Sequence, residues 1–150
     1  MEIIVIPKIN MKLILATNRS VVNECNIISI IDPGEKFLFD EPTPPNVLQL
    51  KFNDLEADEY KTDKELAKVE EMGWILFNEG HAQSIINFLN GINTDKDLIV
   101  HCTAGISRSG AIGDFARVKF GIPFGEFILK NPQIQPNSWI RRTLLALEYP

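Results

Sequence analysis

Cys102 and Arg108 are the residues whose types and spacing could do chemistry, separated by Thr103-Ala104-Gly105-Ile106-Ser107. A thiolate is a strong nucleophile, and a guanidinium offers a planar fork of donors that fits two oxygens of a phosphoryl group, which a lysine cannot match. Both lie in the stretch Leu98 to Gly110. Its first residues, Leu98-Ile99-Val100, have the apolar character of a buried strand. Ser109 reads as an N-cap for the apolar segment that follows, so the stretch is expected to form a strand-to-helix turn. Backbone amides at such a turn point into a concavity, and the helix dipole adds positive potential. A cysteine in that field has its thiolate stabilised. The competing reading is a structural cysteine closing a buried strand, because free cysteine is among the most buried residue types. It leaves Arg108 and the glycines unexplained.

His101-Cys102, five intervening residues and then Arg108-Ser109 resembles the signature of the cysteine-dependent protein tyrosine phosphatases. The order of elements is similar to that of the compact, dual-specificity-like branch, as is Gln135-Pro136-Asn137 followed by Leu144 and Leu147. The resemblance implies that Cys102 attacks phosphorus in line, with the amides of Thr103, Ala104, Gly105, Ile106, Ser107 and Arg108 and the Arg108 side chain holding the phosphoryl oxygens. It further implies that Ser109 gives its hydroxyl to the Cys102 sulfur and that His101 is structural, its ring bonding the loop backbone. No metal or other cofactor is called for. A loop after a preceding strand delivers the general acid in this family. Asp54 is the first candidate, Asp58 competes with it, and Asp63 is a further competitor. Asp54 lies 48 residues before Cys102 (102 minus 54), a longer interval than is usual in the compact branch, which implies added chain through 60–75. Asn137 is expected near the pocket or as a plain helix cap.

These residues need a sheet and helices to position them. Met1–Ile6 and Met11–Ala16 read as two strands, or one bent strand, around Pro7-Lys8-Ile9-Asn10. Ser20–Asn26 is a short helix or loop, Ile27–Ile31 a central strand closed by Asp32-Pro33-Gly34, and Val47–Phe52 another strand. The proline-rich stretch 33 to 46 is a loop. Lys64–Met72 is expected to be helical. Ala82, Ile85, Ile86 and Leu89 form the stripe of a helix ending near Asn90-Gly91, and Ile112, Phe115 and Ala116 form that of another. Gly121-Ile122-Pro123 ends the latter, Phe124–Lys130 makes a short helix, and Asn137 caps a last one carrying Ile140, Leu144 and Leu147. The expected fold is α/β: a mostly parallel sheet of about four to five strands with helices on both faces, and residues 1–150 forming one phosphatase-like catalytic domain. His81, Cys25 and Trp74 read as fold residues, and Arg117, Arg141 and Arg142 as solvated helix faces.

Composition narrows the partners. The net charge of −5 argues against general binding to nucleic acid or anionic membrane. No apolar run approaches the ~18 residues of a membrane span, and Glu2 stands where a secretory signal would be basic, so a cytoplasmic chain with its two cysteines reduced is expected. The loop carries no lysine and only the one arginine, which favours a phosphorylated protein or peptide over polyphosphorylated substrates. Two other functions compete: a binding module that grips a phosphorylated partner without turning it over, and a rhodanese-like sulfurtransferase, against which Arg-Ser at this spacing argues. Oligomeric state has no signature in the chain.

Overall fold

The computed structural model describes residues 1–56 and 62–150. Four strands, β1 (Ile3–Pro7), β2 (Asn26–Ile31), β3 (Val47–Lys51) and β4 (Leu98–Cys102), form one sheet in the order β1-β4-β2-β3, with every pairing parallel. Burial follows that order. Every residue of β2 and β4 is buried, whereas β1 and β3 at the edges are buried only in part. A continuous apolar run such as Ile27-Ile28-Ser29-Ile30-Ile31 suits a strand covered on both faces, and parallel neighbours require crossovers that place helices there.

One face is covered by α1 (Lys8–Thr17) and α2 (Val21–Glu24), where Met11 and Val21 pack with Ile27, Phe39, Val47 and Ile99. The other carries the larger core, built from α4 (Glu79–Gly91), α5 (Arg108–Phe120), α6 (Phe124–Lys130) and α7 (Ser138–Glu148). There Phe52, Phe77, Ile85, Leu89, Ile112, Phe115, Ile140 and Leu144 close over Ile28, Ile30, Leu98 and Val100. Between β3 and α4 lies α3 (Asp63–Glu71), capped by the Thr62 hydroxyl.

The segment Met11–Ala16 is not a strand: it lies inside α1. Met11, with Ile14 and Leu15 three and four residues on, packs against the core, while Ile9 and Leu13 stay exposed. The stripe is helical, and a segment apolar at every position but Lys12 hides the period. Ser109 is likewise not the cap of α5. That helix starts at Arg108 after Ser107, leaving Ser109 inside the first turn. At α4 the Asn78 side chain accepts from the His81 amide, and His81 Nδ1 accepts from the Asn78 amide. Burial holds the His81 ring below its usual pKa, which suits an accepting nitrogen. Arg117 and Arg141 are not plain solvated faces: both bind the buried Asp114 carboxylate at 2.7 Å, Arg117 from within α5 and Arg141 from α7, so that Arg141 ties the two helices together.

The free edge of β1 is closed by side chains. Asn131 accepts from the Val5 amide at 2.7 Å and donates to Ile3 O at 2.9 Å, and Gln133 donates to Val5 O at 2.9 Å. A buried amide without a partner costs roughly 1–3 kcal/mol, and Asn131→Ala strands one such amide and one carbonyl. This variant should lose roughly 2–4 kcal/mol of unfolding free energy in urea titrations; a loss within error of zero would show that the edge does not depend on Asn131.

Candidate active site

Thr103 to Ser107 leave the buried end of β4 and turn at Gly105 into α5. Gly105 has φ +69°, and a Cβ there would stand 2.4 Å from Pro7 N and 2.5 Å from Ile6 C, so only glycine allows the loop to lie against the end of β1. The loop carbonyls are tied to their surroundings. Thr103 O accepts from the Lys8 amide, Gly105 O from the Gln133 side chain, Ile106 O from the Gln135 amide and Ser107 O from the Asn137 amide. In a trans peptide the amide points opposite to its carbonyl, so these bonds turn the N–H groups of Ala104, Ile106, Ser107 and Arg108 the other way, into the concavity.

Cys102 Sγ sits 3.0 Å from Ser109 Oγ, and both side chains are buried. Burial alone raises the thiol pKa. The Ser109 hydroxyl, the Ser109 amide, the Arg108 charge and the Gly105 amide together outweigh it, leaving the thiol below its ordinary value. Both cysteines are free, and Cys25 moves the other way, raised by burial and by Asp97 and Glu24. Two groups in one chain thus have opposite tendencies, with the lowered one at the loop.

Arg108 is 5% exposed and makes three hydrogen bonds through its two terminal nitrogens. Its Nη1 donates to Asp32 Oδ1 at 2.7 Å and to Phe52 O at 2.8 Å, and its Nη2 donates to Thr103 Oγ1 at 3.1 Å. Asp32 pins one end of the guanidinium, and the Nη2 end turns toward the loop. Sequence reasoning passed over Asp32 as a turn residue. Its position at the C-terminal end of a central strand was the available signal, because functional residues converge there in parallel sheets.

His101 is buried within β4, next to Cys102. Its Nε2 lies 2.6 Å from Ser29 Oγ on the neighbouring strand, the Cys102 backbone interacts with the ring and works to raise its pKa, and Nδ1 has no partner at strict hydrogen-bond geometry among the described residues. Burial, helped by the Lys8 and Arg108 charges, pushes its pKa down to about 4. The ring is neutral at physiological pH and packs as part of the sheet.

Asp54 reaches the loop. Its Oδ1 accepts from Ser107 Oγ and from Asn137 Nδ2, each at 2.8 Å. Asn137 thus does two jobs: its Oδ1 caps α7 through the Ile140 amide, and its Nδ2 holds Asp54 and Leu55 O. Asp58 lies outside the described residues, and Asp63 opens α3. Glu56, which sequence reasoning missed, binds Ser138 and Trp139 at the start of α7. A cavity of about 530 Å³ between α4 and α7, lined by Phe77, Trp139 and Leu147 among others, contains none of the loop residues.

No group of three or more His, Cys, Asp or Glu among the described residues is placed to hold a metal ion, and no described helix is long and apolar enough to cross a membrane.

No family model matches the sequence, and no curated protein matches it. Solved structures do match the fold. The PTP-2 phosphatase of Cydia pomonella superimposes with a TM-score of 0.54 over 97% of this chain and 85% of that one, at 16% identity. The human tyrosine phosphatase-like serine/threonine/tyrosine-interacting protein is 18% identical, with a TM-score of 0.47 over 95% of this chain and 84% of that one. The first of these shows the fold to be that of a protein tyrosine phosphatase, as the resemblance of the Cys102–Arg108 stretch implies.

The lowered thiol pKa means that thiolate forms at lower pH than in a free cysteine peptide. Alkylation by iodoacetamide should accordingly reach its half-maximal rate at lower pH for Cys102 than for such a peptide, and Ser109→Ala should move the midpoint upward. A midpoint unmoved in Ser109→Ala would remove the hydroxyl from this account.

Proposed function

We propose that this chain, folded as the protein tyrosine phosphatases are, is a member of the cysteine-dependent family that hydrolyses phosphomonoesters. Its substrates are phosphotyrosine residues of proteins, with phosphoserine and phosphothreonine open to the same chemistry. Residues 1–150 act as one catalytic domain. The observation that carries the reading is the loop itself: four carbonyls tied outward, amides turned inward, and a buried cysteine of lowered pKa at its end beside a pinned arginine.

Phosphoryl transfer passes through a loose transition state with charge on three equatorial oxygens, so positioning and electrostatic stabilisation supply most of the catalysis. The inward amides and Arg108 meet those oxygens. The Cys102 thiolate forms an S–P bond as the ester P–O bond breaks, and Asp54 gives its proton to the departing oxygen. Water then attacks phosphorus, Asp54 takes a proton from it, and the S–P bond breaks. The Ser109 hydroxyl, 3.0 Å from the sulfur, donates to the thiolate as it leaves.

Charge supports a phosphoprotein over a polyphosphorylated substrate. Within the loop only Arg108 is cationic, and Lys8, which the fold brings beside it, is paired with Glu35.

With an aryl phosphate and a chelator present, the wild-type chain should turn over, and Cys102→Ser should bind the substrate without hydrolysing it. Phosphate binding without wild-type turnover would make the loop a phosphate grip, and turnover retained in Cys102→Ser would overturn the mechanism. General acid catalysis contributes roughly 10²–10⁴-fold. Asp54→Ala should therefore slow phenyl phosphate about 100-fold while slowing p-nitrophenyl phosphate only a few-fold, since the better leaving group needs little protonation. An equal loss on both substrates would take the acid role away from Asp54.

A further inference from the structure

Two residues beyond Asp54, the Glu56 carboxylate grips the first turn of α7. Its Oε1 accepts from the Ser138 amide at 3.1 Å, and its Oε2 accepts from Ser138 Oγ at 2.6 Å and from the Trp139 amide at 3.3 Å. The residue between them joins the same contact, because Leu55 O accepts from Asn137 Nδ2 at 3.0 Å. Three consecutive residues of the loop after β3 are thus fastened to three consecutive residues at the start of α7.

These bonds differ in how they respond to the proton that Asp54 must gain and lose. Oδ1 of Asp54 accepts two hydrogen bonds, from Ser107 and Asn137. A carboxylate is a strong acceptor and a carboxylic acid a weaker one, so both bonds weaken in the form that is ready to donate. The loop would then be held least firmly when its geometry matters most. Glu56 has no part in the proton cycle. Its donors are two amides and a hydroxyl at the positive end of the α7 dipole, where a carboxylate is favoured. The Glu56 contact holds the loop whether Asp54 is protonated or not.

We propose that Glu56 is a positioning residue for the general acid, fixing the loop after β3 to the N-terminus of α7 so that Asp54 stays at the edge of the Cys102 loop through both protonation states. This rests on the reading of Asp54 as the acid. A proton donor displaced by about 1 Å can lose roughly 100-fold in rate, and an exposed carboxylate on a free loop has many positions other than the productive one.

Activity on phenyl and p-nitrophenyl phosphate, measured side by side in Glu56→Ala, Glu56→Gln, Ser138→Ala and Asp54→Ala, tests the proposal. Glu56→Ala should reduce kcat on phenyl phosphate by about 10-fold or more and on p-nitrophenyl phosphate by less than about 3-fold. Glu56→Gln, which keeps one accepting oxygen, should recover part of the loss, and Ser138→Ala should reproduce part of it. The iodoacetamide profile of Cys102 should not move in Glu56→Ala, which separates positioning of the acid from damage to the loop. If Asp54→Ala shows the leaving-group split and neither Glu56→Ala nor Ser138→Ala does, Glu56 does not position the acid. An equal loss on both esters in Glu56→Ala, or a shifted alkylation profile, also overturns the proposal and makes Glu56 a fold residue. If Asp54→Ala itself shows no split, it is the acid assignment that fails. Should Glu56→Ala fail to fold, Glu56→Gln and Ser138→Ala carry the same comparison.

Discussion

A cradle for an anion built from peptide amides has to place its carbonyls elsewhere, because each amide brings a carbonyl dipole of opposite sense. Here that constraint organises the region around the loop. The Lys8 amide at the start of α1, the Gln133 side chain, and the Gln135 and Asn137 amides each take one loop carbonyl. The segment 131–137 between α6 and α7 is therefore less a connection than a bracket, holding the edge of β1, the loop and the first turn of α7 in one register. Gly105 is the residue that lets the bracket close, since a side chain at that point would collide with the backbone at Ile6 and Pro7.

The electrostatics follow from the same arrangement. Cys102 ends a strand that is buried along its whole length, where burial by itself would keep a thiol protonated. The charge is made tolerable by groups fixed in place before any ligand arrives: the Ser109 hydroxyl and amide, the Gly105 amide and the Arg108 guanidinium. Arg108 is held by Asp32 and Phe52 O. Its fork is thus oriented in advance, and under the proposed function that spares the cost of ordering a long side chain on binding.

How much of this could be read from the chain depended on whether the signal was local. The loop, its helix and the stripe Ala82, Ile85, Ile86 and Leu89 are local patterns, and the structure places them where the spacing puts them. Asn137 was legible as a helix cap by residue type. Met11–Ala16 failed because nearly every residue is apolar, so neither period stands out, and only Ile9 and Leu13 facing solvent reveals the helix. Ser109 was misread as a cap because its hydroxyl has a second use, bonding a sulfur seven residues earlier. Asp32 was legible only through its place at the C-terminal end of a central strand, and Glu56 not at all. Their partners lie 76 and 82 residues away, and no spacing in one sequence encodes a pairing that the sheet order creates.

The closed edge of β1 bears on how a phosphoprotein could be recognised. The Ile3 carbonyl and both backbone groups of Val5 are already bonded to Asn131 and Gln133. A substrate segment laid along that side would find these groups taken and could not join the sheet as another strand. Under the proposed function, sequence preference would then owe nothing to strand pairing along β1, and a substrate reaching the loop past that edge would be read by its side chains and not by its backbone conformation.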